Sequence, residues 1–222
     1  LKYIPGLSSI AVSTQTDDEQ KRHASGLEFI QGAKIVGAHD VKLLEFLDRC
    51  AFNKKSHKST QQNHNVLFFE HKAMYRTVRE EVKEGPQFIE LGKADVVHSG
   101  IDLTVITYGM GIHWTLDLIE EEGLTGRLDL INLRTLVPLD FDAIRSSVER
   151  TGKVIVLQED VAVGGYAEHI ASRIAQECWE ALDGPVITVS SDPTPVPFHA
   201  ALEEGFLAKS KLKEAVDQLL KY

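Results

Sequence analysis

The sequence predicts an α/β protein: a three-layer α/β/α domain with a mostly parallel sheet, preceded by a smaller, partial α/β domain. Three observations predict this. From Asp102 onward, short β-branched apolar runs alternate with segments of helical periodicity in the order β-α-β-α-β-α-β-α, and such alternation implies right-handed crossovers with helices on both faces of the sheet. A charged run from Arg76 to Glu84 closes at Gly85-Pro86, the punctuation of a linker. The length of 222 residues suits one large or two small domains.

Taken in order, the first 62 residues are uneven, with polar clusters at Ser13 to Arg22 and Asn53 to Asn63. Between them Val41, Leu44, Phe46, Leu47, Cys50 and Ala51 follow a helical spacing and predict an amphipathic helix over Val41 to Phe52. Asn53 to His64 has almost nothing to bury, so it is expected to be a mobile loop and the first site of tryptic cleavage, at Lys54, Lys55 or Lys58. Val66 to Phe69 reads as a short buried strand. Asp102 to Tyr108, Leu128 to Leu133, Val154 to Leu157 and Val186 to Val189 read as the strands of the second domain. Ile112 to Glu122, Phe141 to Arg150, Tyr166 to Leu182 and Lys211 to Leu220 read as its helices. Its expected buried sheet is Leu103, Val105, Ile106, Leu130, Ile131, Val154, Val156, Ile187 and Val189. The boundaries that follow are 1–76 for the first domain, 77–90 for the linker and 91–222 for the second domain.

Composition narrows the function classes. A 43% hydrophobic and 26% charged chain is globular rather than disordered or coiled-coil. Its net charge of −9 repels phosphate backbones and acidic membranes, so neither nucleic acid nor membrane is an expected partner. The apolar runs are far shorter than the roughly 20 residues of a membrane helix. Two cysteines, Cys50 and Cys178, predict no disulfide and a reducing compartment. The opening Leu1-Lys2-Tyr3-Ile4-Pro5-Gly6 has neither Met nor signal-peptide character, and is expected to lie inside a larger protein.

No motif completes a catalytic constellation. Gly109-Met110-Gly111 sits between a strand and a helix, as a dinucleotide fingerprint would, but Trp114 stands near the place of the third glycine, so the expected role is a tight turn. His113, His169 and His199 are isolated from one another, and no metal-ligand spacing is present. Thr151-Gly152-Lys153 lacks the upstream glycine of a phosphate loop. Glu159-Asp160 followed by Gly164-Gly165 is more informative, because carboxylates at the end of a parallel strand, beside a flexible loop and a helix start, sit where open sheets bind ligands or partners. Asp192 to Phe198 alternates proline with other residues, pre-ordering an exposed surface suited to recognition.

Several of these pieces recur together in one family. Leu67-Phe68-Phe69-Glu70-His71-Lys72-Ala73-Met74-Tyr75-Arg76, Leu91-Gly92-Lys93-Ala94-Asp95, Asn132-Leu133-Arg134-Thr135-Leu136-Val137-Pro138-Leu139-Asp140, Glu168-His169-Ile170 and the Asp192 to Phe198 loop stand in the right order. From Val66 onward the sequence resembles the β subunit of the thiamine-diphosphate-dependent decarboxylating component of 2-oxo acid dehydrogenase complexes, and in particular the transketolase-type C-terminal domain. Pyruvate and branched-chain versions fit equally. Nearer the start, both Ile4-Pro5-Gly6-Leu7 and Gln31 to Val36 resemble the strand that opens the second half of the pyrimidine-binding domain.

The resemblance implies an enzyme that decarboxylates a 2-oxo acid with thiamine diphosphate and magnesium and reductively acylates a lipoyl group. The family's Gly-Asp-Gly cofactor motif and activating glutamate have no counterpart here, so the cofactor is expected mainly outside this chain, which is inactive alone and has no catalytic, cofactor-binding or metal-ligating residues of its own. The implied partners are the α portion, a second copy in a homodimer or heterotetramer, and the lipoyl acyltransferase core. Glu159, Gly164 and Gly165 are the residues expected at a subunit interface; Asp183, in the turn Leu182-Asp183-Gly184-Pro185, and Tyr222 are those expected to dock a basic partner domain. The implied location is the cytoplasm of a bacterium or the mitochondrial matrix of a eukaryote. Two other readings stay open: a deoxyxylulose-phosphate synthase type of enzyme, or a stand-alone assembly module. The upstream coding sequence separates them, by whether it encodes Gly-Asp-Gly and the activating glutamate.

Overall fold

The computed structural model describes residues 7–12, 34–38, 66–71, 73–79 and 90–222. The helix expected over Val41 to Phe52, the loop Asn53 to His64 and most of the linker lie outside them. The described residues form two compact units. One contains strands β1 (Leu7–Val12), β2 (Lys34–Ala38), β3 (Val66–His71) and β7 (Thr135–Val137), in the sheet order β1-β3-β2-β7. Both candidate opening segments thus lead into strands. β2 runs parallel to β3, whereas β1 and β7 are antiparallel to their neighbours. The helical turn α1 (Met74–Thr77) follows β3.

The second unit comprises Ala94–Leu133 and Asp140–Tyr222. Its five-stranded sheet contains β4 (Asp95–His98), β5 (Leu103–Thr107), β6 (Leu128–Asn132), β8 (Val154–Val161) and β9 (Ile187–Ser191), in the order β4-β6-β5-β8-β9. β5, β6, β8 and β9 are parallel, and only the edge strand β4 is antiparallel. Every residue of β5 and β6 is buried, as expected of parallel strands covered on both sides. The covers are α2 (Gly111–Glu121) and α6 (Lys209–Leu220) on one face, α3 (Phe141–Thr151) and α4 (Tyr166–Glu177) on the other. A short helix α5 (Ala200–Phe206) precedes α6.

Alternation along each strand divides the core. Leu103, Val105, Leu128, Leu130, Ile155, Leu157 and Val189 pack with Ile112, Leu118, Leu212, Val216 and Leu219 of α2 and α6. The intervening residues, including Ile106, Ile131, Val154 and Val156, are equally buried and turn to α3 and α4. Eight of the nine expected sheet residues are buried. Ile187 is the exception: at the start of edge strand β9 it is only partly covered. The helix expected from Tyr166 to Leu182 stops at Glu177, and a 3-10 turn over Trp179–Ala181 completes the span.

One buried feature is polar. Asp129 on β6 is fully buried and accepts from Ser147 Oγ, Arg150 Nη2 and, at 3.3 Å, the Gly100 N–H. Thr104 Oγ1 lies 2.7 Å from both Ser147 Oγ and Thr151 Oγ1. The carboxylate's burial is offset because it is both paired and hydrogen-bonded. At the start of α3 the Asp140 side chain accepts from the N–H groups of Ala143 (3.3 Å) and Ala94 (3.0 Å), serving as N-cap and as anchor for the approach to β4.

Candidate functional site

The connection from β5 through α2 leads to β6 on one side of β5, and the later one through α3 leads to β8 on its other side. The carboxyl ends of β5 and β8 therefore flank the point where the strand order reverses, the usual place for a site in an open parallel sheet. Tyr108 lies just past β5, and Glu159 and Asp160 lie near the end of β8. Burial raises the Tyr108 hydroxyl's pKa well above the usual tyrosine value, and the Asp160 and Glu159 carboxylates and Tyr166 push the same way. Tyr166 is raised too, by burial, with Arg173 opposing.

Of the three residues expected at a subunit interface, Glu159 is half-buried, Gly164 is exposed and Gly165 is buried. A Cβ on Gly165 would fall 2.0 Å from Gln158 Nε2 and 2.6 Å from the Val161 carbonyl. Only glycine lets α4 start this close to β8. Glu168, in the first turn of α4, accepts from Thr188 Oγ1 at 2.9 Å, and its charge complements the helix dipole. Around this edge Val163, Phe198 and Leu202 are exposed.

The residues expected to dock a partner lie at the opposite end of the sheet, where β8 and β9 begin. The Asp183 N–H donates to the Gly152 carbonyl at 2.7 Å, and Gly184 lies against the Tyr222 ring, where an added Cβ would stand 3.3 Å from Cδ1. Asp183 and Tyr222 are both exposed. The fold thus brings the turn at 182–185 and the last residue of α6's extension onto one surface, although 39 positions separate Asp183 from Tyr222.

The remaining motifs have structural roles. Gly111 lies under Thr107, whose Oγ1 would be 2.1 Å from an added Cβ, and Trp114 is buried in the core, so the Gly-Met-Gly turn opens α2 by close packing. Cys178 is buried where α4 ends, and burial pushes its thiol pKa up, with Arg145 opposing. No helix of the described residues is long and apolar enough to cross a membrane.

The model of the family described as "Transketolase, C-terminal domain" matches residues 92–211. The chain belongs to this family. The second unit is accordingly a transketolase C-terminal domain with the three-layer, mostly parallel architecture expected from the sequence. Among curated relatives, the chain is 41% identical over 144 residues to the pyruvate dehydrogenase E1 component subunit beta of Bacillus subtilis, covering 64% of this chain and 44% of that one. It is 35% identical over 162 residues to the 2-oxoisovalerate dehydrogenase subunit beta of the same organism, covering 71% and 49%. It is 35% identical over 153 residues to the beta subunit of acetoin:2,6-dichlorophenolindophenol oxidoreductase of Cupriavidus necator, covering 68% and 44%. The chain spans about half the length of these relatives, and its resemblance to the C-terminal part of such β subunits holds. A solved structure described as "Split gene transketolase, inactive beta4 tetramer" shares the fold, with a TM-score of 0.62 at 20% identity, covering 86% of this chain and 58% of that one.

Enzymes of the family's dehydrogenase branch use thiamine diphosphate. Among the described residues no group of three or more His, Cys, Asp or Glu side chains converges as a metal site. The described part of this transketolase C-terminal domain is built around one five-stranded sheet. What its geometry offers is surface at two ends of one sheet. Gln158 and Asp129 carry no motif, because each reads as an ordinary strand position until its partners from distant elements are in place.

Proposed function

We propose that the chain is the C-terminal part of a β subunit in a thiamine-diphosphate-dependent 2-oxo acid dehydrogenase that decarboxylates its substrate and reductively acylates a lipoyl group. The observation that carries this is the 41% identity over 144 residues to a pyruvate dehydrogenase subunit beta, supported by the relatives named for 2-oxoisovalerate and acetoin. In this reading the chain supplies scaffold and docking surface and is inactive alone. Thiamine diphosphate and magnesium are held mainly by the α portion and by β-subunit segments outside this chain. The edge bearing Glu159 and Gly164 meets a second copy of the chain, and the beta4 assembly of the solved relative favours such self-association. The Asp183 and Tyr222 surface takes a basic domain of the acyltransferase, whose arginine would pair with the Asp183 carboxylate. The setting is the bacterial cytoplasm or the mitochondrial matrix.

Affinity purification of the chain from its native cells tests the reading. Recovery with an α portion and a lipoyl-bearing acyltransferase, in an assembly that acylates lipoyl groups when given a 2-oxo acid, is the expected result. Recovery of a sugar-phosphate-transferring enzyme instead overturns it in favour of another transketolase-like protein. Calorimetric titration of the isolated chain with thiamine diphosphate and magnesium should give no heat of binding, and micromolar affinity would refute the placement of the cofactor.

A further inference from the structure

Gln158 occupies a position on β8 whose two predecessors on the same face, Val154 and Val156, are apolar core residues. An apolar side chain there would cost nothing in desolvation, whereas an amide is tolerated only if its polar atoms are satisfied. They are. Gln158 is fully buried. Its Oε1 accepts from the Ala167 N–H at 2.7 Å, and its Nε2 donates to the Val161 carbonyl and to Ser190 Oγ, each at 3.0 Å. One amide thereby ties together the end of β8, the start of α4 and the end of β9. Ser191 repeats the link: its Oγ donates to the Glu159 carbonyl at 2.5 Å and accepts from the Ala208 N–H at 3.1 Å. Lys211 Nζ adds bonds to the Ser190 carbonyl (3.1 Å) and Asp192 Oδ1 (2.5 Å). The two loops that leave this network, residues 162–165 and 192–199, carry the exposed Val163 and Phe198.

We infer that Gln158 is a positioning residue that makes these two loops one mechanical body, so that the apolar side chains at this end of the sheet are presented already ordered. The benefit to assembly rests on reading this edge as the contact with a second copy; the coupling of the loops does not. An ordered surface gives up less loop and side-chain entropy on association, and a fully satisfied buried network is a rigid way to obtain one.

Hydrogen exchange of the full chain, followed in peptides covering 162–168 and 192–199, tests the coupling. Ser190→Ala removes only the bond between the amide and β9, and Gln158→Met removes all three bonds at similar volume. Both variants should speed exchange in both loops together, by about three- to tenfold for the loss of one net hydrogen bond. Lys211→Gln should speed it in 192–199 alone. Exchange that rises only in 192–199 for Ser190→Ala, or in neither loop, overturns the inference, and this variant decides the matter even if Gln158→Met does not fold. Sedimentation of the same variants separates the two readings. Coupled loosening with weaker self-association supports both, whereas coupled loosening with unchanged association upholds the coupling and removes this edge from the subunit contact.

Discussion

The two ends of the second sheet are built from the same strands but differ in chemistry. Where β8 and β9 finish, buried polar side chains of Gln158, Ser190 and Ser191 cross-link the loops, and apolar Val163 and Phe198 face outward. Where they begin, a short turn is fixed through its backbone, by the bond from the Asp183 N–H to the Gly152 carbonyl, and the outward groups are a carboxylate and a phenol. The first arrangement suits a lasting, dehydrated contact, and the second an exchangeable one that salt weakens. In the proposed reading, a parallel sheet lets one core serve two kinds of interface a strand's length apart, ~17 Å for five residues.

The severest way to break the comparison is to remove the core that both ends share. Val105→Asp buries an unpaired carboxylate on a strand with no exposed residue, at a cost on the order of 5 kcal/mol, comparable with a whole domain's stability. Thermal unfolding should show both ends lost in one transition; a variant melting within a few degrees of the parent would mean that β5 is wrongly placed. Asp129→Ala comes next. It leaves the Gly100 N–H without its acceptor and Ser147 with Thr104 alone, whereas Arg150, partly exposed, turns to water, for a loss of roughly 2–4 kcal/mol in denaturant unfolding.

Gly165→Ala sharpens the contrast by acting at one end only. Its Cβ would press on both the Gln158 amide and the Val161 carbonyl, and overpacking of this kind costs about 1–3 kcal/mol. Chemical denaturation should show that loss, and self-association should weaken with it. Asp183→Ala has the smallest effect on the fold, within about 0.5 kcal/mol for an exposed position. It should nevertheless weaken binding of the acyltransferase's basic domain by roughly 1–3 kcal/mol at low salt, a difference that shrinks as salt is added. An unchanged dissociation constant, with the parent shown to bind, would place that docking surface elsewhere.

Much of the fold was legible because its signals are local. Leu103 to Thr107 and Val154 to Leu157 are uninterrupted β-branched or apolar runs, Leu128 to Ile131 is apolar apart from Asp129, and Phe141, Ile144, Val148 and Thr151 repeat at helical spacing. What escaped was set by distant partners. β7 is three residues long and pairs with β2, about a hundred positions earlier, so nothing in its own neighbourhood marks it as a strand. β4 is an edge strand with a shift in register between Val96 and His98, and α5 is a short helix hidden behind the prolines of the preceding loop. Asp129 mimics the polar half of an alternating surface strand and is instead buried. Gly164 and Gly165 look interchangeable in sequence, yet one is exposed and the other is packed beneath an amide. The surface at Asp183 and Tyr222 came from family resemblance, because no periodicity relates a turn to the end of a helix.

The contact between Gly152 and Asp183 also bears on how this surface changes over generations. A Cβ at 152 would fall 2.2 Å from Asp183 Oδ2, so the residue that ends α3 and the carboxylate in the turn occupy adjoining space. A side chain at 152 would have to swing the exposed Asp183 carboxylate aside and also hold a left-handed backbone at φ +65°, and both demands favour glycine. The two positions are expected to drift as a pair, so that the proposed docking charge is inherited along with a helix terminus.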